Sequence, residues 1–311
     1  MNVVILAGGT GGAKLAAGMQ ELAEALAVIA NTGDDCQAHG LHVSPDPDLV
    51  TYWLAGLIDE ERGWGIKDDT FTVHEQLEAL GAPGWFRLSD RDLAACLYRT
   101  HFLAEGGSLT DAQAQIARGL GVAAQVLPMS EQPVRTHVVT PAGRRTLQEF
   151  LILDGGQAPI EAIEVDGLAD ASPAPAVLDA LASADAIVIG PSNPVISIGP
   201  ILAVPGMREA IAAADAPVIA VSPFVAGRAV KGPTEAFMAA IGRPATAAGV
   251  ASLYAGVIDA MVVDEGDPDP PPEGLRVHVC PTLMTGAEGR RALATKVLAF
   301  AAAGLSDNPA G

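Results

Sequence analysis

Short runs of hydrophobic residues recur along the chain, and turn-forming residues follow each of them. Five runs predict strands: Asn2–Ala7, Leu26–Ala30, Ala186–Gly190, Pro217–Val221 and Ala260–Val263. Because these runs are apolar throughout rather than alternating with polar residues, both faces of their sheet are expected to be buried. Helical periodicity separates several of the runs. The pattern predicts an α/β fold, a Rossmann-like and mostly parallel sheet with helices on both faces.

The middle of the chain has a different pattern. Three stretches predict helices: Asp69–Leu80, Asp90–Ala104 and Thr110–Leu120. Thr136–Thr140 and Thr146–Leu153 flank the turn signal at residues 141–143 and predict an antiparallel β-hairpin. We therefore expect a nucleotide-binding core made of residues 1–58 and 130–311, with a mostly helical insertion at residues 59–129. We expect Ser306–Gly311 to fray.

Composition narrows the class of protein. The chain has 311 residues and a net charge of −19, which opposes binding to nucleic acid. Its three cysteines, at positions 36, 96 and 280, are too widely spaced for a disulfide framework or a zinc site, so a cytoplasmic protein is expected. No apolar run approaches the roughly 20 residues of a membrane span, so we expect no membrane partner.

A glycine-rich segment joins the first predicted strand to a helix. Its candidate ligand-binding residues are Gly8, Gly9, Thr10, Gly11, Gly12 and Lys14. Glycines let the backbone approach an anion closely, and a helix N-terminus offers free N–H groups. The segment lacks the Walker A ending and matches the dinucleotide fingerprint only loosely. A tight turn without a ligand is the alternative, but phosphate or nucleotide binding explains four glycines better.

Acidic residues follow the second predicted strand. Asn31, Asp34 and Asp35 come directly after it, where ligands gather in open α/β sheets, although a turn built on Asn and Asp is the alternative. Asp46 precedes Pro47 and is expected to cap a helix over Asp48–Leu57. Four carboxylates within fifteen positions would repel one another unless they are spread apart or share a cation. The candidate metal ligands are Asp34, Asp35, Asp46 and Asp48.

Two further polar segments are candidates. Asp90 is expected to cap the helix that it begins, and beside it Arg91 is equally compatible with a surface ion pair and with an anion-binding role. A second loop follows the predicted strand Ala186–Gly190. Its candidate ligand-binding residues are Gly190, Ser192 and Asn193, although a loop made rigid by proline is the alternative. Two such loops at the ends of different strands favour a ligand-binding crevice.

These segments, in this order, resemble the 2-phospho-L-lactate transferase family of coenzyme F420 biosynthesis. The similarity also includes residues 52–56, 62–65, 90–94, 127–130 and 197–200, and so spans nearly the whole chain. One departure is Ala95-Cys96, where the family often has Thr-His.

The resemblance implies a Mg²⁺-dependent transferase that forms a homodimer. Its donor would be a guanosine diphosphate conjugate of lactate, enolpyruvate or glycerate, its acceptor the deazaflavin Fo, and its leaving group GMP. The two loops would bind the guanosine and phosphates. Asp46 and Asp48 would act at the reacting groups, and Arg91, on the helical insertion, would lie in the acceptor pocket.

Two alternatives have different functions. A related glycine-loop protein of the same superfamily would bind a nucleotide sugar and regulate envelope metabolism without catalysis. An NAD-dependent oxidoreductase would need an acidic residue about 20 positions after the glycine loop, and none is clearly placed there.

Overall fold

A computed structural model describes residues 1–303 of the chain. The expected fraying of Ser306–Gly311 lies outside these residues. The strands, in chain order, are β1 (Asn2–Ala7), β2 (Ala25–Ala30), β3 (Cys36–Ala38), β4 (Leu41–Val43), β5 (Gln125–Pro128), β6 (Arg135–Thr140), β7 (Gly143–Thr146), β8 (Ala162–Asp166), β9 (Ala186–Ile189), β10 (Val218–Val221), β11 (Phe224–Val225), β12 (Arg228–Ala229), β13 (Ala260–Asp264) and β14 (Arg276–Cys280).

The α-helices, in chain order, are α1 (Gly9–Met19), α2 (Pro45–Leu54), α3 (Thr72–Ala79), α4 (Asp90–Ala104), α5 (Leu109–Gly119), α6 (Leu147–Ile152), α7 (Pro175–Ala182), α8 (Ile198–Ala203), α9 (Met207–Ala213), α10 (Thr234–Ala240), α11 (Ala247–Leu253) and α12 (Gly286–Ala302). One turn of 3₁₀ helix covers Leu168–Asp170.

Seven strands form the central sheet, in the order β14-β13-β10-β9-β1-β2-β5. Every pair of neighbours in it is parallel. Starting at β1, the chain first builds the sheet outward through β2 and β5, then returns to the other side of β1 and continues from β9 to β14. The order reverses between β1 and β9, and ligands of such sheets bind outside the strand ends at this point. The predicted α/β fold is confirmed.

The core has two layers, one on each face of the sheet. Val3 and Ile5 of β1 face α1 and α12, whereas Val4 and Leu6 face the helices on the other side. Because the strand buries residues of both parities, its sequence shows no alternation of apolar and polar residues. Burial on both faces is what the apolar runs predicted. This double cover fixes the strand ends that carry the polar loops.

The predicted hairpin is wrong in its second arm. The strands β6 and β7 form the hairpin, but its second strand, β7, ends at Thr146. Helix α6 begins at the next residue. The Thr146 hydroxyl accepts the backbone N–H of Glu149, and the Glu149 carboxylate accepts the N–H of Thr146. This reciprocal capping box starts a helix in place of the expected strand. β8 completes the small antiparallel sheet on the other side of β6.

The stretch between α2 and β5 consists of three helices and the loops that join them. The helices are α3, α4 and α5, and α4 has the bounds that the sequence predicted. The strand β5 follows this stretch and pairs with β2 at the edge of the central sheet. Helices α4 and α5 lie close enough to α2 for Arg99 and Gln113 to reach its side chains.

Candidate active site

A cavity of about 770 Å³ opens where the strand order reverses. The loop after β1 and the loop after β9 form one side of it. Asp34 and Asp46 line it beside the end of β2. Residues 282–286, which follow β14, and residues 230–234, which precede and begin α10, close the opposite side. The structure therefore brings the two predicted loops and two of the four predicted aspartates to one crevice.

Close packing explains most of the glycines in the first loop. A Cβ atom on Gly11 would lie 2.0 Å from the carbonyl oxygen of Pro191, and one on Gly12 would lie 2.6 Å from the Ser192 Oγ. Ser192 Oγ accepts the N–H of Gly12 at 3.1 Å, and the N–H of Gly8 more weakly at 3.4 Å. The glycines thus allow the two loops to touch, and Ser192 links them. Gly190 also lies against Gly12.

The first turn of α1 faces the cavity. Gly9 has a φ of +66°, and its N–H donates to Asp46 Oδ1 at 2.5 Å. No side chain within residues 1–303 accepts from the amides of Thr10 and Gly11. These amides and Lys14 line the cavity at the positive end of the helix dipole. The turn therefore retains donors for an anion, as a phosphate-binding loop requires.

Asp46 does not cap its own helix, contrary to the prediction. Helix α2 begins at Pro45, with Ser44 in the N-cap position, because proline needs no hydrogen-bond acceptor in the first turn. The Asp46 carboxylate instead accepts from Gly9 N–H and from Asn31 Nδ2, the latter at 2.9 Å. Burial raises the pKa of Asp46 to about 6 despite these two hydrogen bonds. Asn31 is thus placed to orient Asp46.

Asp34 is buried and poorly compensated. Its Oδ2 accepts from Gln148 Nε2 at 3.2 Å, and its Oδ1 has no hydrogen-bond partner within residues 1–303. Burial, followed by the negative charges of Asp46 and Asp35, raises the pKa of Asp34 well above its usual value. A buried carboxylate with a free oxygen is a position where a cation or a donor from a ligand is expected.

Of the other two predicted ligands, Asp35 is engaged through one oxygen and Asp48 is paired. Asp35 Oδ2 contacts His42 Nε2 at 2.9 Å and accepts from the Ser44 hydroxyl at 3.0 Å, whereas its Oδ1 has no hydrogen-bond partner within residues 1–303. Asp48 forms an ion pair with Arg99, whose side chain is completely buried. Burial raises the pKa of Asp48 to about 6, although the charge of Arg99 opposes the rise. Neither Asp35 nor Asp48 lines the large cavity.

The predicted set of four metal ligands is therefore divided. Within residues 1–303, no group of three or more His, Cys, Asp or Glu side chains is placed to hold a metal ion. Asp34 and Asp46 nevertheless line the same cavity, and Asp34 Oδ1 is free. Mg²⁺ is commonly held by one or two carboxylates together with substrate phosphates. The pair Asp34 and Asp46 fits that arrangement, and the set of metal ligands stays a prediction.

Arg91 is exposed on the first turn of α4. Its backbone N–H donates to Asp69 Oδ2 at 2.9 Å, and its side chain lines neither the large cavity nor the smaller one described below. The expectation that Asp90 caps α4 is wrong, since Ser89 holds the N-cap position. The Asp90 carboxylate accepts from Thr70 Oγ1 and the N–H of Val73, which stabilises the start of α3.

Asn193 shapes the second loop from within. Its Oδ1 accepts from the backbone N–H groups of Val195 and Ile196, and its Nδ2 donates to Thr234 Oγ1. The residue lines the cavity while it fixes the turn that follows β9. The rigid-loop interpretation therefore describes this segment, and its part in a ligand-binding crevice stays a prediction.

Three features of the site escaped the sequence analysis. A smaller cavity of about 320 Å³ adjoins Trp85 and Gln148, and Asp34 lines both cavities. Arg99 compensates Asp48 from inside the protein. Lys231 reaches the mouth of the large cavity from a loop far along the chain. A stripe of buried residues along α4, at positions 92, 96 and 99, was the available signal for Arg99. Nothing local marks Lys231.

Comparisons with known proteins agree with this geometry. The family model described as 2-phospho-L-lactate transferase CofD matches residues 3–276. The chain is 42% identical to a phosphoenolpyruvate transferase of Streptomyces griseus subsp. griseus, over 97% of this chain and 98% of that protein. It is 41% identical to a 2-phospho-L-lactate transferase of Methanopyrus kandleri, over 96% and 97%.

The fold also resembles a more distant solved structure. Protein BH3568 from Bacillus halodurans superposes with a TM-score of 0.63 and 20% identity, covering 96% of this chain and 99% of its own. That likeness concerns the fold alone. In the described part of the chain, no helix is long and apolar enough to cross a membrane. The matches to the family and to its named enzymes carry the assignment: the chain belongs to the 2-phospho-L-lactate transferase CofD family and is a transferase.

Proposed function

We propose that the chain transfers a phospholactyl or phosphoenolpyruvyl type of group from a guanosine diphosphate conjugate to the deazaflavin Fo in coenzyme F420 biosynthesis, with GMP as the leaving group. A hydroxyl oxygen of the Fo ribityl chain attacks the phosphorus distal to guanosine. The new P–O bond forms as the bond from that phosphorus to the GMP phosphate oxygen breaks, and the hydroxyl proton passes to solvent water. Such transfers depend on positioning and electrostatics.

One observation carries the proposal. The cavity of about 770 Å³ combines the phosphate-binding features of the glycine loop with two carboxylates, those of Asp34 and Asp46. The amides of Thr10 and Gly11 and the ammonium of Lys14 suit a diphosphate, because a helix N-terminus and a cation both favour negative charge. The aspartates lie where an acceptor hydroxyl would meet that diphosphate. A nucleotide-binding regulator would not need these two carboxylates.

The aspartates also suit the Mg²⁺ that the family resemblance implies. Asp34 and Asp46 would hold the ion, which would neutralise charge on the donor phosphates. Gly9 and Asn31 keep the Asp46 carboxylate in place through two hydrogen bonds. Gln148 orients Asp34 through its Oδ2 and leaves Oδ1 free. Asp48 and Arg91, which line neither cavity, keep their proposed catalytic roles as predictions only.

The smaller cavity supports a place for the acceptor. It meets the large cavity at Asp34, and Trp85 offers an aromatic surface for a flat ring. An acceptor lying there would present its hydroxyl near the donor phosphates. The choice of donor acid is open to experiment, because relatives named for phosphoenolpyruvate and for phospholactate are almost equally similar to this chain.

The test is a direct assay of turnover. The purified protein is mixed with Fo, Mg²⁺ and, in separate reactions, the guanylylated conjugates of phospholactate, phosphoenolpyruvate and phosphoglycerate. Mass spectrometry then follows GMP and the Fo adduct. We expect one donor to give both products. Asp34→Asn should lower kcat at least about 100-fold, because electrostatic stabilisation of this kind contributes that much.

The matched control is Asp179→Asn, which removes one carboxylate from the exposed face of α7. Its turnover should equal that of the wild-type protein. Absence of product with all three donors, together with tight binding of a nucleotide sugar, would contradict the proposal. Normal turnover by Asp34→Asn would contradict the proposed role of the Asp34 carboxylate in transfer.

A further inference from the structure

Lys231 spans the mouth of the large cavity. Its Nζ donates to Thr10 Oγ1 at 3.1 Å and to the carbonyl oxygen of Gly63 at 3.1 Å. Thr10 belongs to the first turn of α1, and Gly63 to the turn after α2. The lysine therefore joins two walls of the cavity that come from separate parts of the fold.

The loop that carries Lys231 is fixed at its base. The N–H of Ala226 donates to Asp264 Oδ1 at 3.2 Å, and that of Gly227 donates to Asp267 Oδ1 at 2.7 Å. The N–H of Ala229 donates to Glu235 Oε1 at 2.9 Å. Because three carboxylates anchor the backbone in the β11–β12 turn and in β12, the fold fixes the segment that leads to Lys231.

Two lysines line this cavity, whose wall also carries the carboxylates of Asp34, Asp46, Glu60 and Glu61. Two of the four lysines in the chain, Lys14 and Lys231, line it, although the net charge is −19. Within residues 1–303, neither lysine forms an ion pair with a carboxylate. Lys14 lies over the Trp53 ring, with 5.4 Å between its Nζ and the ring centroid. Burial and the neighbouring charge of Lys14 lower the pKa of Lys231.

The partners of Lys231 are a hydroxyl and a carbonyl, both neutral. Hydrogen bonds from an ammonium to an anionic oxygen are roughly twice as strong as those between neutral groups. A phosphate entering the cavity would therefore compete well for the ammonium. When the ammonium moves to the phosphate, it also releases Thr10 Oγ1, which lies next to the free amides of the same turn.

We propose that Lys231 is a phosphate-binding residue of the donor site, which exchanges Thr10 and Gly63 for a phosphate of a nucleoside diphosphate and acts beside Lys14. This inference rests on the proposed function, because that function supplies the diphosphate. It assigns the loop between β12 and α10 a direct part in holding the donor.

The experiment compares GDP with guanosine. Calorimetry measures the Kd of GDP, and ligand-observed NMR measures that of guanosine, for the wild-type protein and three variants. Lys231→Met should weaken GDP roughly tenfold or more, the effect of losing one charged hydrogen bond, and leave guanosine unchanged. Lys231→Arg should recover most of the loss. Lys67→Met, which removes an exposed lysine outside the cavity, should bind GDP normally.

Salt gives a second readout. The Kd of GDP should rise less steeply with NaCl concentration for Lys231→Met than for the wild-type protein, because one charge contact is missing. An unchanged Kd for GDP in Lys231→Met would overturn the inference and leave the proposed function standing, provided that turnover persists. Equal weakening of GDP and guanosine, with a lower Tm, would also overturn it, because the bridge would then be structural. Failure of the wild-type protein to bind either ligand would overturn the proposed donor as well.

Discussion

Asp48 and Asp34 are both buried carboxylates beside the same sheet edge, yet their surroundings are opposite. Asp48 faces the guanidinium of Arg99, which also donates to Gln113 Oε1 at 3.1 Å. Asp34 has one amide donor and one free oxygen, and its neighbours Asp46 and Asp35 add negative charge. The protein supplies the counter-charge for Asp48. Arg135 offsets the charge of Asp34 only in part, so we expect a ligand to complete its compensation.

The difference shows how a cluster of acidic residues can be divided. Buried charges are usually paired, so a paired carboxylate needs no further explanation. An unpaired one raises its pKa or awaits a cation. This criterion predicts that Asp48 belongs to the framework behind the site, and that Asp34 and Asp46 belong to the site. Asp35 is held through one oxygen by His42 and Ser44, and its charge helps to raise the pKa values of Asp34 and Asp46.

Removal of Arg99 should produce the largest effect on stability. Arg99→Met leaves Asp48 buried without a counter-charge, and breaking a buried ion pair in this way costs about 3 to 5 kcal/mol. Urea unfolding at pH 7.5 measures the loss. The control is Arg91→Met on the same helix, which should change the free energy of unfolding by no more than about 0.5 kcal/mol because Arg91 is exposed.

A double variant sharpens this prediction. Arg99→Met with Asp48→Leu removes both charges, so it should be more stable than Arg99→Met alone. If the single change costs less than about 1 kcal/mol, Asp48 does not depend on Arg99 and the division of the aspartates fails.

The fold could be predicted from the sequence because apolar runs and helical periodicity are local patterns. The apolar run Asn2–Ala7 and the helix Asp90–Ala104 match the structure residue for residue. The strand expected at Thr146–Leu153 fails because the capping box of Thr146 and Glu149 outweighs the preference of the apolar residues that follow. The Thr146 and Glu149 pair is present in the sequence and is a signal for a helix start at this position.

The site was accessible only in part, because its contacts join distant segments. The positions of the loops after β1 and β9 follow from the order of the strands. The pairing of Asp48 with Arg99 depends on how α4 crosses α2, which no local pattern specifies. The contact of Lys231 with Thr10 spans 221 positions. The sequence therefore identified the acidic residues but not their counter-charges.

Replacement of Asp34 by Asn should stabilise the fold while it removes function. The amide keeps an oxygen for Gln148 and removes a buried charge, so we expect a gain of about 1 to 2 kcal/mol in the free energy of unfolding at pH 8. The folded-state pKa of Asp34 is raised, so its ionisation weakens the wild-type fold as the pH rises from about 4 through that pKa. The gain should therefore vanish below about pH 4.

Urea unfolding of both proteins without Mg²⁺, at pH 8, 6 and 4, measures this difference. A loss of stability at pH 8 would mean that Asp34 has a compensating partner, and the contrast with Asp48 would disappear. If the prediction holds, addition of Mg²⁺ should raise the stability of the wild-type protein more than that of Asp34→Asn. A ligand that binds only the folded state stabilises that state.

Asp46→Asn should have the smallest effect, because Asp46 is intermediate between the two cases. Burial raises its pKa to about 6, so loss of the charge favours folding at pH 8. However, the carboxylate accepts from both Gly9 N–H and Asn31 Nδ2, and an asparagine has only one oxygen for these two donors. The gain and the lost hydrogen bond are of similar size, so the net change should stay within about 1 kcal/mol. The same urea series measures this net change.

A gain as large as that of Asp34→Asn would mean that the two hydrogen bonds do not stabilise the Asp46 carboxylate. Burial in the shared cavity would then determine the stability effect of both aspartates.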